Sequence, residues 1–289
     1  MSEPNKQYEV LQWAFSFLNA HGREEKIAEI LLQHHLNISQ AQFYASMQDV
    51  LPNELIEKYK EDIIAHAKTG IPVQHLTGME YFYGRPFYVN KHVLIPRVET
   101  EELVEHVIKL IKEKYMDKPV TLVDIGTGSG IIAITLALEL PNIEVYATDI
   151  SNEALDVAKK NADKLNASVQ FMQGDLLQPI MEKGIQPDIV VSNPPYISEA
   201  DRQFLSDTVI NFDPHIALFA KDDGLRAYKD ITKQLRSHFQ QDLLLCFEIG
   251  FNQAEAVTDI IQDSFPKSNI QKFKDINEKD RIVIAEIKK

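Results

Sequence analysis

The sequence predicts an α/β protein with a mainly parallel sheet, preceded by a small helical domain and ending in an antiparallel hairpin. Hydrophobic residues recur at helical spacing through the first 70 positions. From Pro119 onward, apolar β-prone runs alternate with amphipathic segments, a pattern typical of a parallel sheet with helices on both faces. The last two β-prone stretches, 267–273 and 281–287, lie too close together for a helical crossover, so we expect them to pair antiparallel.

The first predicted domain covers residues 1–70 and is helical. Leu11, Phe15 and Leu18 share one helix face, and similar spacing indicates further helices later in the segment. Ser39 is placed to cap the third helix, and Gly70 marks the end of the fourth. This region can serve packing alone or can dock a substrate, and its sequence favours neither role.

Residues 71–97 form the second predicted segment, a β-hairpin linker. The aromatic, β-prone stretch 80–89 contains a turn signal at Gly84. The third predicted domain, residues 98–289, opens with a helix from about Glu99, whose apolar residues fall on one face.

The sheet of this third domain follows from its apolar runs. Ser151 is expected to cap the amphipathic helix 151–165 between two of the strands. Ligands of such sheets bind beyond the carboxyl ends of the strands. The polar segment 197–215 could cover a substrate there or be an ordinary surface loop. The predicted strands are 119–125, 143–149, 168–173, 187–192 and 242–248.

Charge and cysteine usage limit the classes of function. The 289 residues include 30 Lys and Arg against 43 Asp and Glu, a net charge of −13, which disfavours a long non-specific grip on nucleic acid. The one cysteine, Cys246, lies in an apolar run and is expected to be a small core residue of a strand. No apolar run reaches membrane-spanning length and no signal peptide is evident, so we expect a cytoplasmic protein.

A glycine-rich loop follows the first predicted strand of the sheet and leads into an apolar helix. Glycines allow the sharp turn, and the helix N-terminus offers free N–H groups to an anion. The spacing does not fit G-x-G-x-x-G, because position 131 is Ile, and no Lys-Ser/Thr pair follows as in a P-loop. The loop therefore suits a carboxylate better than phosphates. Its residues are Gly126, Thr127, Gly128, Ser129 and Gly130.

Two further strand ends carry candidate ligand-binding residues. Asp149 ends the next strand, about 20 residues past the glycines, where a carboxylate can accept hydrogen bonds from both hydroxyls of a ribose. Asp175 and Leu176 follow the third strand. Asp175 could accept from the exocyclic amine of an adenine and Leu176 could pack on the ring, although a plain turn explains this pair nearly as well.

The tetrapeptide Asn193-Pro194-Pro195-Tyr196 follows the fourth strand and indicates the chemistry. The prolines stiffen the turn and keep Asn193 out of helical conformation. The side-chain oxygen of Asn193 and the carbonyl oxygen of Pro194 are two acceptors suited to a planar NH₂ group. Tyr196 offers a face for a flat amide or base. We predict that Asn193, Pro194 and Tyr196 are catalytic and that all four residues bind the substrate.

With the 126–130 loop, this tetrapeptide resembles methyltransferases that act on planar amide or ring-linked nitrogens. Further segments across the chain narrow the resemblance to the release factor glutamine methyltransferases. They are Gln74-His75-Leu76-Thr77-Gly78, Ile95-Pro96-Arg97-Val98-Glu99-Thr100-Glu101, Ala217-Leu218-Phe219, Asp223-Gly224-Leu225, Phe247-Glu248-Ile249-Gly250 and Lys279-Asp280-Arg281. The sequence departs from the family pattern at Val98, at Leu176, and at Asp213-Pro214-His215, where Glu-Pro-Arg is commoner.

The resemblance implies a Rossmann-like class I methyltransferase sheet, a small helical domain that helps hold the substrate, and S-adenosyl-L-methionine as cofactor. The implied cofactor-binding residues are those of the glycine loop with Asp149, Asp175, Leu176 and Asn193. The implied substrate is the glutamine of the Gly-Gly-Gln motif in peptide chain release factors. No metal, direct nucleic-acid contact or membrane contact is expected, and the protein is expected to be a monomer.

Four alternatives remain at this level. A DNA or RNA adenine methyltransferase would use the same tetrapeptide, but it predicts a basic groove that the charge balance disfavours. A methyltransferase acting on a ribosomal-protein glutamine is less consistent with the segment that begins at Arg97. A non-catalytic nucleotide-binding protein would not need Asn193 beside two prolines. A dehydrogenase is disfavoured by the glycine spacing.

Overall fold

A computed structural model describes residues 5–115 and 118–288. Its helices are α1 (Gln7–Ala20), α2 (Lys26–Leu36), α3 (Gln40–Ala45), α4 (Asn53–Thr69), α5 (Val73–Thr77), α6 (Val98–Lys114), α7 (Ile131–Glu139), α8 (Asn152–Leu165), α9 (Gln178–Glu182), α10 (Asp207–Phe212), α11 (His215–Leu218), α12 (Arg226–His238) and α13 (Ala254–Ser264). A 3₁₀ helix covers Glu199–Phe204. The strands are β1 (Met79–Phe82), β2 (Arg85–Tyr88), β3 (Val120–Ile125), β4 (Ile143–Asp149), β5 (Gln170–Gln173), β6 (Ile189–Ser192), β7 (Leu243–Glu248), β8 (Asn269–Lys274) and β9 (Asp280–Ile287).

The chain divides into two compact units. The first comprises the described residues up to Met79 together with Ser206–Phe212, and the second comprises Glu80–Leu205 and the chain from Asp213. The first unit therefore extends past residue 70 and takes in α10, which comes from a distant part of the sequence. The division into 1–70, 71–97 and 98–289 stays a prediction about functional domains.

The first unit is a set of helices around one apolar core. Of the face predicted for the first helix, Leu11 and Leu18 are buried in this core and Phe15 packs against it half-buried. The Ser39 side chain accepts a hydrogen bond from the backbone N–H of Gln42, which confirms the predicted cap of α3.

The segment that contains α10 joins this unit through an ion pair. The Arg23 guanidinium donates to both carboxylate oxygens of Asp207, at 3.3 and 2.8 Å. Gly70 has φ +75° and packs closely against this pair. A Cβ at this position would lie 2.8 Å from Nη2 of Arg23. The sequence predicts 197–215 only as one polar segment and does not distinguish these residues within it.

The second unit contains the predicted sheet. In the described chain, seven strands form it in the order β5-β4-β3-β6-β7-β9-β8. Neighbours from β5 to β7 pair in parallel, and β9 pairs antiparallel with both β7 and β8. The parallel sheet and the antiparallel C-terminal hairpin are thus confirmed. The predicted β1–β2 hairpin is also present, with Tyr83 and Gly84 at positive φ in its two-residue turn.

Both faces of the sheet are covered. Alternate residues of one strand point to opposite faces, so Leu122 packs in the cluster with α6, α7 and α8, whereas Val123 packs in the cluster with α12 and α13. Cys246 is a fully buried strand residue of the first cluster, as predicted. In the described chain, no helix has both the length and the apolar character that a membrane crossing requires.

Candidate active site

A cavity lies at the carboxyl ends of β3 to β6, within the second unit. This position is the one expected for a ligand of a parallel α/β sheet. Of the residues predicted to form the site, Gly126, Thr127, Gly128, Ser129, Asp149, Asp175, Leu176, Asn193 and Pro195 line the cavity. Gly130, Pro194 and Tyr196 adjoin lining residues in the chain but are not part of the cavity wall.

The glycines of the 126–130 loop have two different uses. All three have positive φ, which side chains rarely adopt. A Cβ on Gly126 or Gly128 would meet no atom within 4 Å, so these two leave the backbone open to a ligand. A Cβ on Gly130 would lie 2.7 Å from Cδ1 of Ile134 and 3.1 Å from Cβ of Ala158. Gly130 is therefore needed for packing at the start of α7.

The buried carboxyl group of Asp124 holds this loop in place through hydrogen bonds. Its Oδ2 accepts from the Thr127 hydroxyl at 2.6 Å and from the Ala133 N–H at 3.3 Å. Its Oδ1 has no hydrogen-bond partner among the residues that the structure describes. Burial raises the pKa of Asp124 to about 7. Sequence reasoning missed this residue, although an acid inside an otherwise apolar strand was the available signal.

Asp149 is tied to the glycine loop by its carboxylate. Its Oδ2 accepts from the Gly128 N–H and its Oδ1 from the Ser151 N–H, each at 2.9 Å. Burial raises the pKa of Asp149, and these N–H groups act in the opposite direction. Each oxygen keeps a further acceptor position, so the carboxylate fits a ribose with two neighbouring hydroxyls.

Asp175 and Leu176 lie on the same cavity wall. Leu176 has φ +51°, and its carbonyl accepts from the Thr148 hydroxyl at 2.8 Å. Its side chain is half-buried and packs against the core cluster under the sheet. Asp175 is exposed. The pair therefore presents an apolar surface with an acceptor at its edge, an arrangement that could hold a flat ring bearing an amine.

The Asn193–Tyr196 corner is held at its far end by Gln253. The Gln253 side-chain N–H donates to the carbonyl of Tyr196 at 2.9 Å, and the Gly250 N–H donates to the Gln253 oxygen at 3.0 Å. The chain at Gly224 passes so close that a Cβ there would lie 2.1 Å from the Tyr196 carbonyl oxygen. Burial raises the pKa of Tyr196 to about 12, so its hydroxyl stays protonated.

The near end of the corner is held by a buried polar group that the sequence did not reveal. Nδ2 of Asn193 donates to Oγ1 of Thr100 at 3.2 Å, and Oγ1 donates to Oε2 of Glu248 at 2.7 Å. Thr100 and Glu248 are each 1% exposed. Burial raises the pKa of Glu248 to about 7, and hydrogen bonds from Thr100 and Asn193 oppose this shift. Thr100 and Glu248 both lie in segments that carry the family resemblance, and Glu248 also ends an apolar strand, but neither signal indicated this contact.

Arg97 brings a positive charge to the cavity wall. Its Nη2 lies 2.9 Å from Oδ2 of Asp213, whose side chain is 2% exposed. Burial raises the pKa of Asp213, while the Arg97 charge lowers it. Although Asp213 stands where a longer acid is commoner in the resembled family, it still reaches Arg97.

Comparisons with known proteins agree with this architecture. The PrmC N-terminal domain model matches residues 9–78, and the Methyltransferase small domain model matches residues 101–212. The release factor glutamine methyltransferase of Bacillus cereus is 44% identical over 97% of this chain and 99% of its own length. That of Bacillus subtilis is 44% identical over 98% of each chain. Among solved structures, the hMettl16 catalytic domain in complex with the MAT2A 3'UTR hairpin 6 matches with a TM-score of 0.53 and 16% identity. That match covers 82% of this chain and 83% of the other, and at this identity the likeness concerns the fold alone.

Proposed function

The chain belongs to the release factor glutamine methyltransferase family, and from that premise we propose the atom it methylates. It is an S-adenosyl-L-methionine-dependent protein-glutamine methyltransferase that acts on release factors. The proposed acceptor is the side-chain amide nitrogen of the glutamine in the Gly-Gly-Gln motif. The observation that carries this proposal is the orientation of Asn193, whose Nδ2 donates to Thr100 inside the protein. Its oxygen is thereby left for a substrate N–H.

The cavity residues suit the cofactor by their chemistry. S-adenosyl-L-methionine, when bound, supplies an electrophilic methyl group on a charged sulfur. We assign Asp149 to the ribose hydroxyls, and Asp175 and Leu176 to the adenine. The loop from Gly126 to Gly130, at the N-terminus of α7, is assigned to the methionine end, because backbone N–H groups there can bind a carboxylate.

The corner residues would orient the substrate. An amide nitrogen is a poor nucleophile, because its lone pair is delocalised into the carbonyl. The Asn193 oxygen and the Pro194 carbonyl each accept one amide N–H and fix the direction in which the nitrogen points. Orientation of this kind can contribute about 7–11 kcal/mol in favourable cases. The same two oxygens stabilise positive charge that develops on the nitrogen, and the Tyr196 ring packs against the plane of the amide.

The proposal also concerns how the release factor is bound. We propose that the helical domain, residues 1–70, docks the release factor, and that residues 98–289 carry out the transfer. The match of residues 9–78 to a separate family model supports treating this region as a unit of its own. The net charge of −13 favours a protein substrate over direct contact with nucleic acid.

The direct test is mass spectrometry of a purified release factor incubated with the protein and S-adenosyl-L-methionine. We expect the peptide that contains Gly-Gly-Gln to gain the mass of one methylene group, with fragment ions placing it on the glutamine. A release factor whose motif glutamine is changed to alanine is the control and should stay unmodified. Methylation at another residue, with the motif glutamine unchanged, would contradict the proposal.

A further inference from the structure

We propose that Thr100 and Glu248 are positioning residues that hold the Asn193 amide with its oxygen toward the substrate. The inference rests on the proposed function, because it concerns how Asn193 is prepared to accept a substrate N–H. Neither residue needs to touch the substrate glutamine. Both act by fixing the orientation of the Asn193 side chain.

The sheet register brings Asn193 and Glu248 together. Ser192 at the end of β6 is the parallel register partner of Phe247 in β7. The next residue on each strand is therefore Asn193 on one and Glu248 on the other, side by side at the carboxyl edge. Thr100, in the first turn of α6, stands between their side chains and hydrogen bonds to both.

The direction of each hydrogen bond follows from the chemistry of the groups. When Glu248 is ionised it can only accept, and the Thr100 hydroxyl then donates its hydrogen to it. Thr100 then has only lone pairs to offer Asn193, and these pair with the N–H end of the amide. The Asn193 amide also helps to lower the pKa of Glu248, against the effect of burial. These hydrogen bonds fix the N–H end of the amide toward the protein interior. The amide oxygen is the end that remains for a substrate.

The burial of the group makes the arrangement rigid. A buried carboxylate without donors is costly, so the Glu248 side chain depends on its hydrogen bonds and on nearby positive charge. Arg281 provides that charge, and its Nη1 donates to the carbonyl of Ile249 at 3.2 Å. Turning the Asn193 amide over would place its oxygen against the Thr100 lone pairs and the carboxylate. The inverted rotamer is therefore disfavoured electrostatically.

The test compares isosteric variants by kcat and by the Kd of S-adenosyl-L-methionine. T100V replaces the hydroxyl by a methyl group, and we expect kcat to fall about 10- to 100-fold with an almost unchanged Kd. T100S keeps the hydroxyl and should restore turnover to within about threefold of the wild type. T232V is the matched control, because Thr232 is equally buried but donates within its own helix. It should leave kcat unchanged.

A double-mutant cycle separates positioning from general damage. If Glu248 acts only through Asn193, E248Q should lower kcat in the wild type but cause no further loss in N193A. Equal losses in both backgrounds would overturn the proposal, as would normal kcat in both T100V and E248Q beside an inactive N193A. Normal turnover of N193A itself would instead refute the proposed role of Asn193. Thermal unfolding and cofactor binding show whether each variant is folded. If E248Q does not fold, the comparison of T100V with T100S tests the positioning role by itself.

Discussion

The backbone N–H of Gly128 donates to Oδ2 of Asp149 across 2.9 Å, so the loop after β3 and the end of β4 form one binding surface. The glycine loop and Asp149, which the sequence predicts as separate parts of the site, are therefore joined by a hydrogen bond. A change at Asp149 is therefore expected to alter the loop as well as the proposed contact with the ribose.

Asp149→Ala should weaken cofactor binding. The substitution removes the proposed acceptor for the ribose hydroxyls and leaves the Gly128 N–H without its partner. Hydrogen bonds to charged groups contribute about 1.5–3 kcal/mol, so we expect the Kd of S-adenosyl-L-methionine to rise roughly 10- to 100-fold. Isothermal titration calorimetry measures it, with Asp175→Ala as a milder comparison. An unchanged Kd would remove Asp149 from the proposed site.

Gly130→Ala should destabilise the protein more than Gly128→Ala. Both positions have positive φ, which costs a side chain about 1–2 kcal/mol. Only at Gly130 does the added Cβ also meet packed atoms, Ile134 and Ala158, and such overpacking costs about 1–3 kcal/mol more. Urea unfolding gives the free energy of unfolding of both variants. Equal losses would show that backbone strain alone explains the glycine at 130.

The contribution of Asp124 to the stability of the protein should fall as the pH rises toward neutrality. Its folded-state pKa is about 7 against an ordinary value of 3.8. Between these values the folded state holds a proton that the unfolded state has released. The stabilising contribution is thus complete below about pH 4 and is lost as the pH rises through about 7.

Asp124→Asn should flatten this dependence. One such group contributes a slope of at most about 1.4 kcal/mol per pH unit, and Glu248 adds a slope of the same sign that remains in the variant. Urea unfolding at several pH values between 4 and 7 measures the slopes. The same slope in the variant and in the wild type would contradict a raised pKa at Asp124.

Tyr196→Ala should reduce kcat more than Tyr196→Phe. The backbone of Tyr196 is held by Gln253 in either variant, so the comparison isolates the side chain. Packing against an aromatic face contributes about 0.5–1.5 kcal/mol, so the alanine variant should be roughly 3- to 10-fold slower than the phenylalanine variant. Equal losses in steady-state assays would assign the effect to the hydroxyl group instead.

Much of the fold could be predicted from the sequence, because apolar periodicity is a local signal. The strand 143–149 has the predicted bounds, and Ser151 caps α8 by accepting from the Ala154 N–H. The predicted strand 168–173 is shorter in the structure, at Gln170–Gln173. The membership of Ser206–Phe212 in the first unit could not be predicted, since it depends on contacts between distant segments, of which the Arg23–Asp207 pair is one.

The candidate site divides in the same way. Gly128, Asp149 and Asn193 stood out because each follows a strand and belongs to a recognisable pattern. Thr100 and Asp124 did not, because a threonine in a helix and an acid in a strand gain meaning only from what they contact. Parallel pairing of β6 with β7 brings Asn193 beside Glu248, and Thr100 reaches Asn193 from α6. Sequence periodicity specifies neither long-range relationship.

The most direct test of the account is the turnover of Asn193→Ala on a purified release factor, measured beside its Kd for S-adenosyl-L-methionine. The account predicts that kcat falls by about 10²- to 10³-fold, because an acceptor aimed at developing charge is lost, while the Kd changes little. Turnover close to that of the wild type would contradict the claim that the Asn193 oxygen orients the substrate amide.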